Sequence, residues 1–302
     1  MTSPQLSTPR HTGVWLPLVT PFKDDRLDEA SLRRLVAAYA RKVDGFVLCA
    51  TTGEALALSA DEMRRIAEVT HEELDRAGSS AGALIGLCGG STSAVLRALE
   101  SASAWPGSGF LVTCPYYVRP SQEGLRLHFE AIAGATDADI LIYNIPYRTG
   151  VNLANDTLLG LAARRANIVG VKDCCADREQ SRDLIRRKPG GFAVLTGEDA
   201  GFADALEDGA DGGVLASAHI APDAFSRLRG LQGQDRLSAW APLAAIPGLL
   251  FAEPNPAALK HCLWRMGLID SPELRLPMTP VSAGLASRLD AALENQWLAN
   301  AA

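Results

Sequence analysis

Eight short apolar runs alternate with eight amphipathic segments between Gly13 and Leu231. This repetition predicts an α/β fold, a (β/α)8 TIM barrel with a C-terminal helical extension. The runs are residues 13–20, 45–49, 83–88, 109–112, 140–144, 168–172, 193–196 and 212–216. Most are continuously apolar, as parallel strands covered on both faces require. An open doubly wound sheet would carry a glycine-rich phosphate turn after its first strand. Here the first run ends in Thr20-Pro21-Phe22, which argues for the barrel.

The helical segments are residues 29–42, 60–76, 92–105, 122–136, 155–165, 178–188, 199–208 and 222–231. Ser59, Ser91 and Ser121 stand at N-cap positions, and the spacing from Ser59 to Glu62 fits a capping box. Residues 235–302 read as helices punctuated by Pro247, Pro254, Pro256, Pro272, Pro277 and Pro280. That stretch is too short and broken for its own core, so it is expected to pack on the barrel. The domain reading is a flexible tail at 1–12, the barrel at 13–234 and the helical segment at 235–302.

Composition excludes several classes. The net charge is −6 and the basic residues are dispersed, so neither nucleic acid nor an anionic membrane is an expected partner. No run reaches the ~18 apolar residues of a membrane span, and the polar start lacks the apolar core of a secretion signal. Six cysteines form no C-x-x-C pair, so no zinc site is expected and the cytoplasm is the expected compartment. The five histidines are scattered, which argues against a metal-dependent barrel aldolase.

Barrel active sites lie at the C-terminal ends of the strands, so polar residues closing apolar runs are the candidates. Of five lysines (23, 42, 172, 188 and 260), only Lys172 closes such a run. Burial disfavours the ammonium form and makes the amine a nucleophile toward carbonyls; the alternative is a lysine paired with Asp173. Tyr143 closes the preceding run and suits proton transfer, or is a core tyrosine with its hydroxyl on a backbone carbonyl. Thr51-Thr52-Gly53-Glu54 offers hydroxyls and backbone N–H groups for a carboxylate, or is an ordinary Thr-Gly turn. Arg148 is a fork-shaped carboxylate binder in a strand-end loop, or a member of a surface ion pair.

Several segments together resemble the dihydrodipicolinate synthase / N-acetylneuraminate lyase superfamily. They are Thr51-Thr52-Gly53-Glu54, Pro115-Tyr116-Tyr117-x-Arg119-Pro120, Tyr143-Asn144-x-Pro146-x-Arg148-Thr149-Gly150, Gly170-x-Lys172-Asp173 and Glu253-Pro254-Asn255-Pro256. Leu274-Arg275-Leu276-Pro277-Met278-Thr279-Pro280 points to the synthase branch. The resemblance implies a class I aldolase without cofactor or metal. Lys172 would form a Schiff base with pyruvate, Tyr143 would relay protons, and Thr51 would link Tyr143 to Tyr117. Tyr117 would enter the neighbouring subunit's site across a tight dimer. Thr51 and Thr52 would hold the pyruvate carboxylate, Arg148 the carboxylate of the second substrate, and Val214 would line the substrate site. The resemblance further implies aspartate 4-semialdehyde as that second substrate, a role in lysine and diaminopimelate biosynthesis, and a homotetramer built from two tight dimers.

Three positions depart from the family pattern. Asp173-Cys174-Cys175 follows the lysine where Glu and small residues are usual, Tyr147 replaces a small residue, and His219 follows the eighth strand. All three are expected to flank the pocket. They leave room for an alternative, an aldolase or lyase acting on a sugar-derived 2-keto acid. Cys174-Cys175 reads as pocket wall. A non-catalytic 2-keto-acid sensor on this scaffold would have lost Lys172 or Tyr143, and both are present.

Overall fold

The computed structural model describes residues 9–294, and eight parallel strands close into a barrel. These are β1 (Gly13–Pro17), β2 (Gly45–Leu48), β3 (Gly82–Leu87), β4 (Gly109–Thr113), β5 (Ile140–Asn144), β6 (Ile168–Asp173), β7 (Ala193–Thr196) and β8 (Gly212–Val214). Each pairs with its sequence neighbour, and β1 closes the ring against β8. The helices that follow the strands are α1 (Glu29–Tyr39), α2 (Ala60–Ala77), α3 (Thr92–Ala102), α4 (Gln122–Ala133), α5 (Asn155–Arg164), α6 (Arg178–Arg187), α7 (Phe202–Glu207) and α8 (Pro222–Arg227). All eight strand–helix units match the sequence expectation, with shifted ends. β1 stops at Pro17, because a proline supplies no N–H to a ladder.

The continuous apolar runs divide between two cores. Leu141 and Tyr143 of β5 point into an inner cluster with Trp15, Leu84, Leu111 and Val214. Ile140 and Ile142 point out toward the helices. This two-residue alternation fills the barrel and its jacket with one strand set. Trp15 plugs the N-terminal end. A Cβ on Gly45 would lie 2.4 Å from its ring and one on Gly82 2.7 Å from it, and its indole N–H donates to Thr12 O at 2.9 Å.

Caps follow the sequence signals. The Ser59 hydroxyl accepts from Glu62 N at 3.2 Å, and the Glu62 carboxylate accepts from Ser59 N at 2.9 Å. Ser91 and Ser121 cap α3 and α4. One element was not anticipated, a hairpin pairing Phe22–Lys23 with Arg26–Leu27. Its turn residues Asp24 and Asp25 have φ of 52° and 58°, the geometry of a tight two-residue hairpin loop, which acidic side chains tolerate.

Residues after the barrel form α9 (Gly233–Trp240), α10 (Ala245–Leu250), α11 (Ala257–Arg265) and α12 (Ala283–Ala292). They pack on the barrel and on one another, as expected. Of the anticipated tail, residues 1–8 lie outside the described region, and the part nearest the barrel is held in place. His11 is buried, with Nε2 2.9 Å from Asp139 Oδ2, and Arg10 pairs with Asp139 at 3.0 Å. Among the described residues no helix is long and apolar enough to cross a membrane.

Trp15→Ala is expected to empty the barrel floor and lower the unfolding free energy by about 3–5 kcal/mol. Denaturant melts of the two proteins measure it; an unchanged midpoint would show that the ring is not a packing element.

Candidate active site

The site is built on the pairing of β5 with β6. Their register sets Tyr143 beside Lys172 and Asn144 beside Asp173. Lys172 is 5% exposed, and its Nζ lies 4.2 Å from the Tyr143 ring centroid. The alternative pairing of Lys172 with Asp173 does not occur. Consecutive strand residues face opposite sides, and the Asp173 carboxylate accepts from Ser181 Oγ at 2.6 Å, Asn144 Nδ2 at 3.2 Å and Cys175 N at 3.2 Å. Lys172 therefore has no salt bridge among the described residues. Burial lowers its pKa, with Cys174, Asp199 and Glu198 opposing in part, which makes the nucleophilic amine more accessible than in an exposed lysine.

Gly197, at the end of β7, makes room for that amine. A Cβ there would meet Cys174 Sγ at 2.3 Å and Lys172 Cε at 2.6 Å. The next two residues are acids whose charge burial opposes. Glu198 is raised above the ordinary carboxylate range, and Asp199 is raised to about 6; Asp199 accepts from Ser217 N at 2.6 Å. Cys174 and Glu198 line a common cavity, and burial pushes the Cys174 thiol far up. A protonated thiol wedged beside Gly197 is a wall, as the sequence suggests, and a poor nucleophile.

Opposite Lys172, the turn after β2 carries Thr51 and Thr52. Thr51 and Tyr143 share one cavity wall, and Thr51 acts on the Tyr143 phenol in the direction that favours its ionised form, against the larger effect of burial. Tyr143 is buried, and desolvation holds its pKa well above the ordinary tyrosine value. It is therefore a neutral O–H, able to donate a hydrogen bond. Thr52 Oγ1 accepts from Asn255 Nδ2 at 2.9 Å, which leaves its own hydroxyl proton free to donate. Beneath the turn, Thr20 Oγ1 donates to Gly53 O at 2.7 Å.

A cavity of about 400 Å3 opens over this group, with Thr51, Tyr143, Arg148, Thr113 and Asn255 in its wall. Arg148 and Asn255 also line a neighbouring cavity of about 620 Å3, together with Gly197, Glu198 and Tyr147. Lys172 lies behind these walls, with its Nζ over the Tyr143 ring and its side chain packed beside Gly197. Arg148 sits in the one-turn helix Pro146–Thr149, and its guanidinium lies 5.5 Å from the Tyr147 ring centroid; it joins no salt bridge among the described residues.

Tyr143, Thr51 and Arg148 thus share one cavity, while Lys172 lies behind Tyr143 and Thr52 is held by Asn255, which lines that cavity. Val214 lies in the inner cluster with Tyr143 but off the cavity wall. Tyr117 lies outside the cavity of its own chain, 90% exposed with φ of 73°. His219 is a correction, because it does not flank the pocket. It is fully buried, stacked edge-on with Tyr39 at 5.4 Å, and its Nδ1 is 2.9 Å from Ala216 O. Burial lowers its pKa to about 4, so it is a neutral core histidine. Thr113 was among the polar residues closing an apolar run, whereas sequence reasoning missed Gly197 and Glu198. The polar run Thr196-Gly197-Glu198-Asp199 after an apolar strand was the available signal for both.

A desolvated amine, a phenol–hydroxyl pair and a guanidinium around an enclosed space define a barrel enzyme that captures carbonyl compounds as imines. The chain belongs to the dihydrodipicolinate synthetase family, whose model matches residues 10–296, and it is an enzyme of the lyase class. It is 42% identical to 4-hydroxy-tetrahydrodipicolinate synthase 2 of Clostridium acetobutylicum over 92% of this chain and 98% of that protein. The chloride-inhibited dihydrodipicolinate synthase of Acinetobacter baumannii, solved in complex with pyruvate, is similar with a TM-score of 0.88 and 33% identity, covering 94% of this chain and 98% of the other. A monomeric dihydrodipicolinate synthase variant is similar with a TM-score of 0.87 and 32% identity, covering 94% and 96%.

Gly197→Ala is expected to displace the Lys172 side chain and slow borohydride-trapped capture of pyruvate by about 100-fold, with circular dichroism unchanged. Trapping at the wild-type rate would show that Lys172 does not need the space.

Proposed function

We propose that this chain is a 4-hydroxy-tetrahydrodipicolinate synthase, condensing pyruvate with L-aspartate 4-semialdehyde in the cytoplasm. The observation that carries the reading is the buried Lys172 amine over the Tyr143 ring, without a salt bridge among the described residues, with Thr51 in the same cavity wall as Tyr143. The neutral amine attacks C2 of pyruvate. The resulting carbinolamine loses its oxygen as water, using a proton relayed by Tyr143 and Thr51. Loss of a C3 proton from the imine gives an enamine, whose C3 attacks the aldehyde carbon; the aldehyde oxygen takes up a proton. Attack of the substrate's amino group on the imine carbon then expels Lys172 and closes the ring.

The pyruvate carboxylate is assigned to the hydroxyls and backbone N–H groups of Thr51 and Thr52, and the second carboxylate to Arg148. Val214 is assigned to the floor beneath the bound keto acid. The second reading, a lyase for a sugar-derived 2-keto acid, draws on Tyr147 and Cys174, which line cavities beside Gly197 or Glu198. Product analysis with pyruvate and a panel of aldehydes separates the two. Turnover of aspartate 4-semialdehyde supports the synthase, and turnover of N-acetylmannosamine alone overturns it.

Arg148→Ala is expected to raise the barrier for the second substrate by about 2–4 kcal/mol and to leave pyruvate capture nearly intact. Steady-state kinetics beside borohydride trapping measure the split. Equal losses in both would assign Arg148 to pyruvate or to structure.

The assembly proposed is a homotetramer of two tight dimers, in which Tyr117 reaches the partner's Thr51. Its exposure and left-handed backbone project a large aromatic ring away from its own barrel. Tyr117→Phe should lower activity, and exchange with Lys172→Ala subunits should restore part of it, because one site per mixed dimer keeps both groups. Sedimentation verifies the mixed dimers, and no recovery in them would assign Tyr117 to its own chain.

A further inference from the structure

We propose that Lys260 is a positioning residue for the Thr51–Thr52 turn and acts on it through Glu54. The inference rests on the reading that this turn holds the keto-acid carboxylate.

The sequence gives Lys260 no more than a place on a late helix. In the structure it is completely buried, midway along α11, where the residues around it are Ala258, Leu259, Cys262 and Leu263. Its Nζ pairs with Glu54 Oε1 and donates to Glu273 O at 2.7 Å. The other Glu54 oxygen, Oε2, accepts from Arg275 N at 3.1 Å. Both Lys260 Nζ and the Arg275 guanidinium lie over the Phe22 ring, at 4.3 and 4.2 Å from its centroid. The Arg275 guanidinium also reaches Glu62 Oε1 at 2.6 Å and Asp25 Oδ1 at 3.0 Å. A cation and an anion are therefore sealed together between α11 and the turn.

A pair buried this deeply is a weak source of stability, since two apolar side chains of similar volume do as well or better. What it does specify is direction. Glu54 is the last residue of Thr51-Thr52-Gly53-Glu54 and has φ of 53°, a left-handed conformation that an unbranched L residue adopts at some expense. With both carboxylate oxygens engaged from the C-terminal segment, the Glu54 backbone is held in that state. Its N–H donates to Thr51 O at 3.1 Å, and Ala55 N donates to Ala50 O at 3.2 Å. These bonds close the turn so that the Thr51 and Thr52 groups face the cavity. Gly53 permits the tight course; a Cβ there would lie 2.9 Å from Leu18 O. Asn255 holds the Thr52 hydroxyl from the same C-terminal side. Lys260 reaches no reacting atom, and its effect passes through Glu54 to the backbone.

The test compares wild type, Lys260→Met, Glu54→Gln and the double variant, each checked for folding by circular dichroism and thermal melting. The readout is the pyruvate concentration giving half-maximal borohydride trapping on Lys172, with the maximal trapping rate recorded separately. Each single variant leaves one buried charge unpaired and is expected to raise half-saturation by about tenfold or more. The maximal rate should change far less. The double variant should be better than either single variant in melting temperature, while its half-saturation stays above wild type because the turn has lost its anchor. Folded single variants with wild-type half-saturation would overturn the proposal, as would a loss confined to the maximal rate. Should Lys260→Met not fold, Glu54→Gln and the double variant carry the same comparison, and wild-type half-saturation in either overturns it. A wild-type protein that traps no pyruvate at all removes the active-site reading, and this proposal with it.

Discussion

A primary amine withdrawn from water inside a closed barrel is the constraint on which the site depends. Ammonium groups are buried only where something offsets the lost hydration, and among the described residues no carboxylate makes a direct pair with Lys172. The offset is partial: the face of Tyr143 at 4.2 Å, and the more distant charges of Glu198 and Asp199. The amine consequently gives up its proton more readily than an exposed lysine, and the surroundings follow from that. β5 must end in a residue tolerant of a cation over its ring, β7 must give way to glycine, and Asp173 must turn to the outer face, where Ser181 and Asn144 satisfy it.

Most of the fold was legible because barrel strands covered on both faces leave a simple trace, a short apolar run bounded by turn residues. Lys172 and Tyr143 were legible for a related reason, as inward-facing polar residues close to the ends of such runs, and Arg148 as a guanidinium in the loop that follows one. The hairpin at Phe22–Leu27 was not, because its strands are two residues each and its turn uses two aspartates in place of Asn-Gly. His219 misled by position. It follows the eighth strand, but a turn of 3-10 helix at Ala216–His219 carries its ring back under α1, against Tyr39.

Lys260 was the instructive omission. On a helix a single lysine ordinarily snorkels to solvent, and nothing in its immediate sequence says otherwise. Its burial is decided by Glu54, more than two hundred positions away, and a pairing at that separation has no local periodicity. Glu54 was visible only as the end of a Thr-Thr-Gly-Glu motif, where its acidity had no assigned purpose. Contacts between the C-terminal segment and the strand-end turns are where pattern reading has least to work with.

The same contacts set an order in time. The amine-bearing strand β6 and the turn after β2 leave the ribosome well before Asn255, Lys260 and Arg275 are made, and those three residues supply the turn's fastenings from outside the barrel. On the proposed reading, a chain that has completed all eight strands already carries its nucleophile, while Glu54 still waits for the partners that fasten the turn. The order of synthesis thus places the amine first and the means of orienting its substrate later.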